Sequence, residues 1–449
     1  MSNDGANGAA DELPSPPPEL VHLLVDTHAH PADDPCTYDS SLSAPAAADA
    51  LKQRLQSCPM ATVVAMSTSY RDQPIVQQLA SSSLSSSSSS QSPSQDKLLP
   101  CFGLHPWFAH TVSLAESPPK DKRQHYLDLF AGQKSAEDEV DEILADLPDP
   151  TTLSDLLRRV RQGLESHPTA ILGEVGIDRA FRIPRKRWSY DPFSGNATKN
   201  NTHTCCSKHA DGPNGSLGDD DDDATATART TKPKLTRLKT PLPHQLAIVR
   251  AQISLAVELG RNVSFHSVQA SGATLDLMRE LHLLHPGGFS LGMRDINVSF
   301  HSCTMDVNIV KTLQKTYPNA YIGFSSTINS IKDNHRDVIQ TADAKRILVE
   351  SDFHRVDGMA KRVWEATRIV GEVWAGWSDA ELEQKRSDHA AAKQSGQDGE
   401  TELDVAWRKA AQQLARNWRR FCRNGAVTRD DDDEDNDDDE DDGDDSDED

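Results

Sequence analysis

No apolar run in the 449-residue sequence approaches the ~18 residues of a membrane-spanning helix, so no membrane association through a helical span is expected. The first twenty residues, MSNDGANGAADELPSPPPEL, lack the cationic start and apolar centre of a secretory leader. Cysteine is sparse and scattered: seven residues, at 36, 58, 101, 205, 206, 303 and 422, form no CxxC pair. That spacing argues against a disulfide framework and fits a reducing compartment, so cytoplasm, nucleus or both is the expected location. Positive charge is also in deficit, with a formal net charge of −23. The last twenty residues, Asp430 to Asp449, carry −17 of it and leave −6 for the rest of the chain. The acidity therefore belongs mainly to a tail and does not exclude a nucleic-acid substrate.

Three segments are too biased to add to a core: SSSLSSSSSSQSPSQ from 81, a polar tract from about 189 to 240 with Asp219 to Asp223, and the tail. We expect a disordered N-terminus over 1–20, one catalytic unit over 21–425 with disordered insertions at about 81–96 and 189–240, and a disordered acidic tail over 426–449. What remains is roughly 350 residues, the size of one barrel-type domain with insertions.

Within it, short apolar runs alternate with helical patterns. Candidate strands lie at 21–27, 61–68, 98–105, 169–178, 262–267, 296–302, 320–325 and 346–352, and candidate helices near 44–57, 71–80, 151–165, 243–259, 272–284, 306–317, 335–341 and 358–376. Alternation implies parallel pairing, and near-continuous runs such as Ile347-Leu348-Val349 imply strands buried on both faces. Eight such units predict an α/β fold of the (β/α)8 TIM-type barrel class. The rival, an open doubly wound sheet, calls for a glycine-rich phosphate loop after the first strand, where this chain reads DTHAHP.

Polar residues cluster at the carboxyl ends of these runs, where a barrel places its reaction site. They are His28 and His30 on the first, His105 on the third, Glu174 on the fourth, His266 on the fifth, His301 on the sixth and Asp352 on the eighth. His28 and His30 are two residues apart and so face one side of a strand, as neutral imidazoles closing on one ion would. Any one of these residues alone reads as a structural histidine or a helix cap; their corresponding positions call for a shared ligand. Glu174 is the only carboxylate in ILGEVG, a core run where an uncompensated charge is costly.

At these residues the sequence resembles the TatD-related deoxyribonucleases of the metal-dependent hydrolase superfamily. The resemblance rests on VDTHAH (25–30), GLHP (103–106), GEVGID (173–178), HQLAIVRAQISLAVELGRNVSFHSVQA (244–270), His301 and LVESDF (348–353), in order. It implies two divalent ions (zinc, manganese or magnesium), one held by His28, His30 and Asp352 and joined through Glu174 to another held by His266 and His301. It also implies Asp352 and Glu174 as catalytic groups, a role for His105 on a phosphate oxygen, and DNA as substrate. The chain departs from the pattern at His266-Ser267-Val268, where relatives often have H-x-R, and at Trp107, where they commonly have histidine. The insertions resemble a fungal branch associated with a TPR-containing cell-cycle protein, which leaves a TPR-type partner open. A same-barrel hydrolase of a small ester, amide or phosphate, and a partner-binding protein with a retained metal site, are the competing readings.

Other signals are weaker. HTCCSKH, with His203, Cys205, Cys206 and His209, has adjacent cysteines that suit tetrahedral zinc poorly. The basic run Arg179, Arg182, Arg185, Lys186 and Arg187 follows GEVGID directly and is either a solvated loop or a phosphate-tracking patch, with Arg179 and Arg182 the candidate substrate contacts. Leu403, Trp407, Ala411, Leu414 and Trp418 mark a helix expected to pack on the barrel exterior, with a partner-binding role as the alternative. The tail is read as a solubilising segment, an arm for basic proteins, or a competitor for the chain's own basic groove.

Overall fold

The computed structural model describes residues 13–38, 43–80, 97–185, 235–289, 295–396 and 399–423. The serine tract, Lys186 and Arg187, the HTCCSKH cluster and the acidic tail lie outside the described residues. Eight strands form one sheet: β1 (Val25–Ala29), β2 (Thr62–Ala65), β3 (Leu98–Phe102), β4 (Ile171–Asp178), β5 (Val263–Val268), β6 (Val298–Phe300), β7 (Ala320–Ser325) and β8 (Ile347–Glu350). Their spatial order is their chain order and every pairing is parallel. The circle is nearly closed between β8 and β1, where Asp352 donates its N–H to the His28 carbonyl (3.0 Å) and His30 donates to the Phe353 carbonyl (2.9 Å). The expected TIM-type barrel is therefore present.

Helices surround the strands: α1 (Ala44–Ser57), α2 (Gln73–Ala80), α3 (Lys122–Leu129), α4 (Ala136–Ile143), α5 (Leu153–Ser166), α6 (Leu242–Leu259), α7 (Ser271–Leu284), α8 (Val307–Thr316), α9 (His335–Thr341), α10 (Val356–Trp374), α11 (Asp379–Ser395) and α12 (Glu402–Cys422). Among the described residues, no helix is long and apolar enough to cross a membrane. Along α6, Leu246, Val249, Ile253 and Val257 recur at three- and four-residue steps and form one inward stripe: Val249 and Ile253 are buried, and Leu246 and Val257 pack against the same core. That core fills the space between strands and helices.

A second cluster joins Val25, Val64, Leu99, Ile171, Tyr321 and Leu348 of six barrel strands to Trp418 and Phe421. The C-terminal helix α12, expected on the barrel exterior, thus also closes the interior from below. Asn262 and Asn297 both donate to the Phe421 carbonyl (2.6 and 2.9 Å) and fix the helix end there.

Two further departures have local causes. The first strand begins at Val25 rather than 21, because Pro18, with its fixed φ, starts a 3-10 turn over Pro18–Leu23. The tract expected outside the barrel up to residue 240 is packed from Thr236 on: Thr236 donates to the Ile183 carbonyl (2.8 Å), and Leu238 is buried with Tyr126, Phe130 and Ile143 of the α3–α4 pair.

Candidate metal centre

The barrel gathers six of the sequence-predicted residues at one end. His28, His30, Glu174, His266, His301 and Asp352 are all buried. The backbone sets their positions. Glu174 N–H donates to the Ser67 carbonyl (2.9 Å), His301 N–H to the Phe265 carbonyl (3.2 Å), and Asp352 is tied to β1 as described. Gly176 permits the tight packing of β4 on β5: at φ +154 its missing Cβ would lie 2.0 Å from the His266 carbonyl oxygen.

Glu174 stands between two groups of imidazoles and presents a different oxygen to each. Its Oε2 faces His28 Nε2 and His30 Nε2, each at 3.5 Å. Its Oε1 faces His266 Nδ1 (2.8 Å), His301 Nε2 (2.8 Å) and His105 Nε2 (2.9 Å). Asp352 Oδ1 completes the first group, 3.9 Å from His28 Nε2 and 3.4 Å from His30 Nε2, which are 3.2 Å from each other. Ligand atoms at about 2.0 to 2.2 Å from a tetrahedral ion lie roughly 3.3 to 3.6 Å apart, so the first group has the size and the N/O chemistry of a divalent-cation cage. In the second group, His266 Nδ1 and His301 Nε2 are 3.0 Å apart, a spacing drawn in to hydrogen-bond contact.

Outer partners orient these rings, as they do around metal-binding histidines generally. His28 Nδ1 lies 2.8 Å from Ser264 Oγ, and His266 Nε2 lies 3.4 Å from Asp178 Oδ2. Ser302 Oγ donates to Asp352 Oδ2 (2.8 Å), and Glu350 accepts the Ser302 N–H. Asp178, Glu350, Ser264 and Ser302 were not among the predicted site residues, nor was Asp26, whose carboxylate accepts the N–H groups of His28 (3.3 Å) and Ser351 (2.9 Å). A signal existed for three of them: Asp26, Ser264 and Glu350 each precede a site residue by two positions, the strand repeat.

The charges follow from burial and proximity. Burial opposes ionisation of Glu174, but His105, His301 and His28 overcome it and hold its carboxyl well below the usual range. Burial also opposes a charge on His30 and His266, yet Asp352 and Glu174 raise the first to about 9, and Asp178 and Glu174 raise the second to about 10. Burial and the neighbouring His301 push His28 down to about 3. Burial raises Glu350 well above its ordinary value and Asp26 to about 7.

His105 differs from the other histidines. Its Nδ1 accepts the Trp107 N–H (3.1 Å), and burial lowers it to about 4, so the neutral ring carries its proton on Nε2 and directs a donor at Glu174 Oε1. With Glu174 and His266 it also forms a buried group whose ligand atoms are close enough to hold an ion. Arg179 and Arg182 do not enter the cluster; both side chains are exposed on the loop after β4. Arg185 is engaged elsewhere, with Glu139 and Glu142.

A family model described as TatD related DNase matches residues 231–387. Over those residues, which carry His266, His301 and Asp352, the chain is similar to the TatD-related family. It is a metal-dependent hydrolase of the TatD type. The Cut9-interacting protein scn1 of Schizosaccharomyces pombe is 22% identical over 379 residues, covering 78% of this chain and 93% of that protein. An uncharacterized deoxyribonuclease of Saccharomyces cerevisiae is 23% identical over 269 residues, covering 59% of this chain and 68% of its own length. Solved structures that resemble the TatD-type chain include a TatD family hydrolase of Entamoeba histolytica, with 10% identity, a TM-score of 0.47 and coverage of 89% and 97%. The TatD homologue YjjV of Escherichia coli gives 14%, 0.44, 91% and 100%.

Proposed function

We propose that this chain hydrolyses phosphodiester bonds of DNA with two divalent ions, zinc, manganese or magnesium, held in the cluster around Glu174. The observation that carries this reading is the division of the Glu174 carboxylate, one oxygen toward His28 and His30 and the other toward His266 and His301. His28, His30 and Asp352 would hold one ion and His266 and His301 the other, with Glu174 placed between the two groups. When bound, such a pair lowers the pKa of a water and offsets the charge developing on attacking and leaving oxygens. Asp352 keeps Oδ1 toward the cage while Ser302 anchors Oδ2, so the carboxylate is oriented to direct the attacking water and take its proton. The His105 Nε2–H is a donor for a phosphate oxygen, and Arg179 and Arg182 supply positive charge at the mouth. The scattered cysteines support action in cytoplasm or nucleus. The name of the fission-yeast relative supports a protein partner as well, here proposed to be of TPR type, and the acidic tail suits basic partners.

The test is hydrolysis of labelled single- and double-stranded DNA by the full chain loaded with each metal in turn. Glu174→Gln, which keeps the shape but removes the bridging charge, should lose the second ion and slow turnover by orders of magnitude. Glu174→Gln with wild-type rate and two bound ions would contradict the proposal, as would a metal-loaded wild type inert toward both DNA forms.

A further inference from the structure

Beyond the end of β8 the chain carries positive charge that the cage does not use. Phe353 follows Asp352 directly, and its carbonyl accepts the His30 N–H (2.9 Å), which holds the segment against the ligand-bearing end of β1. Arg362, in the second turn of α10, reaches back toward the helix start. Its guanidinium lies 3.6 Å from the centroid of the Phe353 ring, and Nη1 donates to the Gly358 carbonyl (3.3 Å). Phe353 in turn packs on His354, with centroids 4.8 Å apart. A Cβ at Gly358 would stand 2.7 Å from Arg362 Nη1 and 2.9 Å from the Phe353 ring, so glycine is what leaves the passage for the guanidinium.

Arg362 is only 8% exposed, and no carboxylate among the described residues pairs with it. Burial and the nearby Arg355 both work against its charge. Glu372, on the same helix and also buried, shows the usual arrangement: it is paired with Arg386 (2.7 Å) and Arg336 (3.9 Å). A buried cation with a carbonyl and a ring face, but no anion, is only partly compensated. The exposed Arg355 adds a second cation on the same side, and the pair makes the surroundings of Phe353 attractive to a bound anion.

We propose that Arg362, aided by Arg355, forms a phosphate-binding subsite beside the metal centre that takes a non-scissile phosphate of the substrate strand. The assignment of that phosphate to DNA rests on the function proposed above; the anion subsite itself rests on the surroundings of Arg362.

Two probes separate these claims, a fluorescent single-stranded oligonucleotide and inorganic phosphate, both used with the full chain in chelator so that no metal contributes. Wild type should bind the oligonucleotide, and Arg362→Met should weaken binding at least tenfold and lower the salt slope by about one. Phosphate should raise the Tm of wild type but not of Arg362→Met. Without phosphate, Arg362→Met should melt at or above the wild-type temperature, because an uncompensated buried charge has been removed; a cation kept for structure alone would instead cost Tm. Gly358→Ala leaves every charge in place yet crowds the guanidinium, and it should reproduce the binding loss, which also decides the matter if Arg362→Met does not fold. If wild type binds phosphate through Arg362 but no DNA, the subsite stands and the DNA reading fails. Wild type that binds neither probe, or binding of both that survives Arg362→Met and Gly358→Ala, overturns the proposal.

Discussion

Asp178 links the surface of the barrel mouth to the centre of the site. Its Oδ2 accepts the indole N–H of Trp107 (2.6 Å) and faces His266 Nε2 (3.4 Å), while Oδ1 accepts the N–H groups of Ala180 (2.7 Å) and Phe181 (2.9 Å). An asparagine fills the same volume but must turn an NH2 group toward two donors on one side or the other. Asp178→Asn should therefore free the His266 ring and weaken binding of the ion nearest His266 by about 10- to 100-fold, the range seen when second-layer partners of metal-binding histidines are removed. Trp107→Phe removes a single donor and should cost less. Competitive metal titration against a chelator checks both, and equal metal affinity in Asp178→Asn and wild type would leave Asp178 a loop anchor only. The residues gathered at Glu174 were legible because histidine and carboxylate at strand ends are conspicuous against apolar runs. Asp178 was not, because its partner His266 is 88 positions away and pairing across strands leaves no mark in local sequence.

At the scale of elements, the 3-10 turn Pro106–Thr111 carries His105 and Trp107 to the site at one end and ends among three histidines at the other. His110 is buried with no partner for Nδ1 among the described residues; His244 Nε2 contacts the Ala109 carbonyl (3.1 Å), His125 Nε2 contacts the His110 carbonyl (3.1 Å), and the Tyr126 ring lies 6.2 Å from the His110 ring. Burial, with His244 and His125 nearby, pushes His110 down to about 3. Its folded pKa is thus below the unfolded value near 6.5, so the unfolded chain binds the extra proton. The stability it permits is fully present above about pH 6.5 and is lost as pH falls toward 3. One such proton changes stability by about 1.4 kcal/mol per pH unit, or about 2 kcal/mol between pH 6.5 and 5. His125 and His244 are lowered too and add in the same direction. In His110→Gln the difference between urea unfolding free energies at pH 7 and pH 5 should shrink by about 2 kcal/mol; an unchanged difference would place the acid lability elsewhere. The strands were readable in sequence because their branched apolar runs are short and separated, as in ATVVAMST. Helices α3, α4 and α11 were missed because they are mostly polar: α3 buries only Tyr126 and α11 only Leu382, and α4 is a single short run with five carboxylates in eight residues, too few apolar positions to show a helical period.

At the scale of the whole molecule, charge is distributed against the proposed substrate. Residues 430–449 carry −17 of the net −23, while the cations assigned to the substrate, Arg179, Arg182, Arg355 and Arg362, belong to the barrel. A tethered charge of that size repels a polyanion through the general field and competes for the same arginines, and both effects are screened beyond about 8 Å at physiological ionic strength. Charge repulsion of this kind leaves the barrel's geometry as it is, so the tail should alter encounter and affinity but leave the chemical step alone. Removing residues 430–449 should lower KM for DNA several-fold at low ionic strength with kcat and metal content unchanged, and the gap between truncated and full chains should close as salt rises. Kinetics on one oligonucleotide across a salt series measure this directly. A KM gap that persists at high salt would point to a specific contact, and no gap at low salt would mean that the tail's charge does not reach the barrel mouth, which would leave solubility or a basic partner as its role.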